Sequence, residues 1–110
     1  AETEEKARSE PEISTMQEIK YLAEELSAAA ASQEAADRLK SLAELPYDDI
    51  LSHRVMYGTP GAVVERLQEY KKELGISGVV MEMNYGGRIP YDRGINSMRL
   101  LIEKVAPEFN

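Results

Sequence analysis

The most constraining stretch of this chain is Gly75 to Pro90, G-I-S-G-V-V-M-E-M-N-Y-G-G-R-I-P. Within it, Gly78-Val79-Val80-Met81-Glu82-Met83 is a short, mostly apolar, β-branched run, entered through Gly75 and left through Asn84 and Gly86-Gly87. A run of this length between turn residues predicts an interior strand of a parallel sheet, covered on both faces. An amphipathic helix precedes it, and a second apolar run, Arg54-Val55-Met56-Tyr57, precedes that helix. Strand, helix, strand, helix is the order of an α/β protein, whose parallel strands are joined by right-handed crossovers.

Upstream of these units the pattern is helical. Residues 1–14 read as an acidic tail or helix remnant, with Pro11 ending any helix before it. Thr15-x-x-Glu18 fits a capping box, and Met16, Ile19, Leu22 and Leu26 follow as one apolar stripe to about Ala31. Ser32 then caps a second helix carrying Ala35, Ala36, Leu39, Leu42 and Ala43, which stops before Leu45-Pro46. Residues 15–46 thus form a helical hairpin. The remainder, 47–110, reads as β-α-β-α. Tyr47 to His53 is a connector, and Thr59 and Pro60 open the third helix as N-cap and first helical residue. Val63, Val64, Leu67, Tyr70 and Leu74 make its buried face, with Gly75 at the left-handed C-cap. Asp92 or Asn96 caps the last helix, packed through Ile95, Met98, Leu101, Ile102 and Val105 until Pro107.

At 110 residues the chain is one domain at most. Two parallel strands cannot close a sheet, since each leaves an unpaired outer edge. The sequence therefore reads as incomplete, or as self-associating through those edges. It lacks an initiator Met, which predicts a start inside a longer chain. A net charge of −7 argues against a nucleic-acid or anionic-membrane surface. No apolar run approaches the ~18 residues of a membrane span, and the polar start is no signal peptide. Zero cysteines exclude disulfides and thiolate chemistry and fit a cytoplasmic location.

Four segments carry a family resemblance. G-T-P-G-A-V-V-E-R-L (Gly58 to Leu67), the Gly75 to Pro90 stretch, S-M-R-L-L-I-E-K-V-A-P (Ser97 to Pro107) and the opening A-E-T-E-E-K-A-R resemble the C-terminal end of the luciferase-like flavin monooxygenases. In that family a Gly-Thr-Pro opens the seventh helix, a Gly-x-x-Gly leads into the eighth strand, and the last helix ends in Val-x-Pro. The hairpin over 15–46 falls in the family's variable segment. The resemblance implies the last strand–helix units of a (β/α)8 TIM barrel, a fold of about 250 residues. It also implies a parent reaction in which a reduced flavin, FMN or a deazaflavin relative, and O₂ oxidise a small organic substrate. The family's catalytic His and much of its phosphate grip lie earlier, so no catalytic residue is assigned here. The isolated fragment is expected to be inactive and to hold no cofactor.

Barrel sites lie at strand C-termini, which makes Asn84, Gly86, Gly87 and Arg88 the candidate flavin contacts and Glu82 and Tyr85 the candidate substrate contacts. The glycines allow close backbone approach, the Asn84 amide suits a polar ring edge, and Arg88 suits an anion. The plain alternative is a glycine-rich turn with a solvent-facing arginine. Glu82, mid-strand among apolar residues, would share a face with Asn84 and need a partner if buried. Gly58-Thr59 offers helix amides to an anion, but a simple N-cap explains it as well. His53 stands alone near Asp48-Asp49, too few ligands for a metal. Met56, Met81, Met83 and Met98 read as core fillers. The competing function is a non-catalytic acidic interaction module using the hairpin. A third, with least support, is a small phosphate-binding domain using Gly58-Thr59.

Overall fold

Three helices start at local side-chain caps, Thr3, Ser32 and Thr59. Thr3 caps α1 (Glu4–Ser9) by accepting from the Lys6 amide at 3.2 Å. Pro11 separates it from α2 (Glu12–Ala28). Ser32 caps α3 (Gln33–Ser41) by accepting from the Ala35 amide at 3.1 Å, and a 3₁₀ turn, Leu42–Glu44, ends the hairpin. After α4 (Tyr47–His53), Thr59 caps α5 (Pro60–Leu74), which terminates in Gly75 at φ 64°. The chain ends in α6 (Tyr91–Leu100), a π turn (Leu101–Val105) and a 3₁₀ turn (Ala106–Phe109). Pro107 has no amide to donate, and the helix changes register in the turn before it. This computed structural model describes residues 1–109.

The α/β expectation is overturned: every regular element is helical, and there is no strand among the described residues. Both predicted strands are irregular segments, and the reason is a shortage of partners. At Val55, the Arg66 guanidinium takes the carbonyl that a neighbouring strand would have used, at 3.2 Å, and it also reaches Ser52 O at 3.3 Å. The backbone of residues 76–83 forms no hydrogen bond to another described residue. Val79 and Val80, placed by their pattern in a sheet interior, are 50% and 100% exposed. The β-α-β-α units over 47–110, and with them the TIM-barrel ending, are therefore absent from this structure.

Three helical expectations also change. Thr15 is no N-cap: it lies inside α2, fully buried, with its hydroxyl 2.7 Å from the Tyr57 phenol. The Tyr47–His53 connector is a helix, started after Pro46 by Asp48 and Asp49 in its first turn. Pro90, rather than Asp92 or Asn96, stands at the N-cap of α6. The acidic start is ordered as α1, with Ala7 buried.

Packing is divided between two places. The α2–α3 hairpin buries Ala23 and Ala36, and α4 adds Tyr47 and Ile50. Tyr47 donates to the Arg8 carbonyl at 2.6 Å, while the Arg8 guanidinium pairs with Asp48 and lies 5.6 Å from the Tyr47 ring centroid. At the other place α5 packs on the π turn through Leu67 and Val105. Arg93 of α6 ties the chain's ends, gripping Glu2 at 2.7 Å and Glu10 at 2.8 Å. The radius of gyration is 15.7 Å. A compact domain of this length would have roughly 13 Å, so the chain is extended rather than spherical.

Candidate functional site

The loop from Met83 to Pro90 gathers most of the sequence candidates, and it is built on α2. Asn84 and Gly87 close a turn through a 2.9 Å bond from the Gly87 amide to the Asn84 carbonyl. Gly86 supplies the positive φ, 84°, that a type II turn needs at its third position. Ser14, 2% exposed, fastens this turn from below. Its hydroxyl donates to the Tyr85 carbonyl at 2.6 Å and accepts from the Arg88 amide at 3.0 Å. Gly86 is pressed against the same serine, so a Cβ there would fall on Ser14 O and within 2.8 Å of Ser14 Oγ.

The side chains expected to meet a ligand are largely committed within the loop. The Asn84 amide bridges Ile89, accepting from its amide at 3.0 Å and donating to its carbonyl at 3.4 Å. Arg88 donates to the Gly86 carbonyl at 3.2 Å, although its side chain lies at the surface. Gly86 serves packing against α2 rather than ligand approach. Gly87, at φ 70° with open space where a Cβ would sit, remains accessible. Glu82 is exposed and makes no ion pair among the described residues, so it needs no compensating arginine.

Two phenols belong to this region: Tyr85 is in the loop, and Tyr57 lines the adjoining cavity with Glu82, Met83 and Ile89. Burial pushes the Tyr57 hydroxyl up, the Thr15 hydrogen bond pulls it back, and the Tyr85 and Glu82 charges push it up again. Tyr85 is raised by burial first, then by Glu18 and Glu82. Ser14 supports the turn without having been legible as its support. Its signal is weak: a small hydroxyl residue inside a helix does not show which distant backbone it will bond.

The cavity touching this region, lined by Met56, Tyr57, Met81, Glu82, Met83 and Ile89 among others, holds about 130 Å³. Sites for flavin-sized ligands run roughly 300–1,000 Å³. A larger groove of about 320 Å³ lies elsewhere, among Leu67, Ile76, Val79, Leu101 and Phe109. Around the loop the residues do not fit a flavin: the Asn84 amide and the Gly86 face that would meet it are used internally, and the adjoining cavity is smaller than that range.

The α5 N-terminus is likewise occupied from within. Thr59 caps Ala62, and the Thr59 amide donates to the Glu4 carboxylate at 3.1 Å. Hydrogen bonding to Thr59 holds the Glu4 carboxyl below its ordinary range. His53 is exposed at the end of α4, and no group of three or more His, Asp or Glu is arranged for a metal among the described residues. No described helix is long and apolar enough to cross a membrane. No family model matches the chain, and the comparisons with curated proteins and with solved structures found no match.

Proposed function

We propose that this chain is the C-terminal part of a luciferase-like flavin-dependent monooxygenase, whose reduced flavin and O₂ oxidise a small organic substrate, and that the 110 residues alone do not turn over. The observation that carries the reading is the order of four segments: Ala1 to Arg8, Gly58 to Leu67, Gly75 to Pro90 and Ser97 to Pro107. Two local features of those segments agree with it, the Thr59–Pro60 helix start and the left-handed Gly75 cap. The reading brings no sheet with it. The chemistry of the flavin, FMN or a deazaflavin, belongs to the parent, and Gly87 is the loop position whose face stays open to it.

The test takes the protein from its native source and records intact mass and absorbance between 350 and 500 nm on one sample. A flavin band on a species heavier than 12.3 kDa supports the proposal. A colourless species at 12.3 kDa overturns the parent assignment. Flavin-dependent O₂ consumption by the 110-residue chain would overturn its inactivity.

The internal bonding of Asn84 and Arg88 favours a second reading, a non-catalytic acidic interaction module presenting the α2–α3 hairpin. A partner cross-linked to α2 or α3 in protein free of flavin supports that alternative.

A further inference from the structure

An apolar, β-branched segment with an unused backbone is a strand waiting for a partner. Residues 76–83 carry no backbone hydrogen bond to another described residue, and Val80 near their centre is 100% exposed. No charged residue occurs from Gly75 to Met81; Glu82 is the first. Segments of this kind, free of proline and nearly free of charge, pair edge to edge when nothing shields them.

We propose that residues 77–83 pair with the same residues of a second copy of this chain, antiparallel and two-fold symmetric about Val80. Charge selects the orientation. Parallel, in-register pairing would set Glu82 directly against Glu82, and like charges placed so are destabilising. The antiparallel arrangement sets Glu82 against the uncharged Gly78. In a chain of net charge −7, this is a surface on which two copies meet without opposing carboxylates.

Symmetry then selects the centre. A two-fold axis through an antiparallel pair places one residue opposite its own copy, and opposed residues share a face. With Val80 on the axis, Val80 meets Val80 and Val79 meets Met81. Val79 and Met81 already line the apolar groove beside α5 and the C-terminal turn, so the paired ribbon keeps that side inward. Centring on Val79 instead would oppose Val80 to Gly78 and leave the most exposed valine without an apolar partner. Main-chain pairing supplies the affinity in such strand addition, and the alternate side chains set the register.

The absence of cysteine makes the register directly readable. In Val80→Cys the two thiols face each other across the axis, with Cα atoms about 4.5–5.5 Å apart, inside the disulfide range. In Val79→Cys the copies are offset by two residues along the strand, beyond the roughly 7 Å limit for bridging. Under diamide, Val80→Cys is expected to form a disulfide dimer at least about tenfold faster than Val79→Cys. Unmodified protein is expected to show a species of twice 12.3 kDa in light scattering as concentration rises. Val80→Lys, a change at a fully exposed position, is expected to abolish that species with the helical circular dichroism intact. Equal cross-linking of both cysteine variants, or unmodified protein that stays at 12.3 kDa at every concentration, overturns the proposal.

Discussion

Gly86 shows how one missing methyl can decide a loop. Its φ of 84° is unfavourable for an L side chain, and the space a Cβ would need is held by the Ser14 backbone and hydroxyl. Gly87 has the same backbone sign, φ 70°, but open space around it. Gly86→Ala is therefore expected to destabilise by about 2–3 kcal/mol, strain and clash together. Gly87→Ala is expected to lose about 1 kcal/mol for the left-handed backbone alone. Urea midpoints of the two variants check the ordering, and equal losses would mean that α2 yields. Both glycines are legible in the sequence as residues of a turn. That one of them packs against a buried serine is not, because Ser14 and the turn lie about 70 residues apart and the contact leaves no local mark. Asn84 follows the same course: its amide suits a ligand edge by type, yet it closes on Ile89 five residues away.

Among the elements, caps are readable and strands are not. Ser32, Thr59 and Gly75 act on amides and carbonyls within one turn of themselves, so residue type and position suffice. The capping-box pattern at Thr15 is equally local, but burial against Tyr57 claims the hydroxyl first. The helix at Tyr47–His53 does carry a signal, Pro46 followed closely by two acidic residues, though a fainter one than the start at Thr59. Strand formation depends on a neighbouring strand, a non-local condition that apolar periodicity cannot supply. The joint between α2 and the Met83–Pro90 loop depends on one side chain. Ser14→Ala would leave the Tyr85 carbonyl and the Arg88 amide without that partner, at a cost of about 1–3 kcal/mol. Thermal unfolding measures the loss. Faster amide exchange at Arg88, with α3 unchanged, would locate it.

For the whole molecule, pH reports how the two ends are joined. The Arg93 hydrogen bond, followed by Glu2's own backbone, holds the Glu2 carboxyl at about 2 against an ordinary value of 4.5. A depressed carboxyl stabilises the fold above its unfolded value, so this contribution is complete above about 4.5 and lost as pH falls towards 2. Thermal midpoints across that window are expected to fall, and to fall less in Glu2→Gln. At the alkaline end, burial pushes Tyr47 up to about 12. A raised phenol favours the folded state below its ordinary value of 10, and that advantage disappears between 10 and 12. Ultraviolet titration of the tyrosinate, compared with Tyr47→Phe, follows it. The Arg93 clamp also has a meaning in time. It joins residues separated by 91 and 83 positions, whereas the helices close within a few residues. Contacts of such long sequence separation demand the largest loop closure and tend to form after the local ones. Arg93→Gln is therefore expected to speed unfolding while leaving the refolding rate nearly unchanged, which stopped-flow chevron arms would resolve. An arginine that contributes little to how fast the chain finds its shape would then govern how long the chain keeps it.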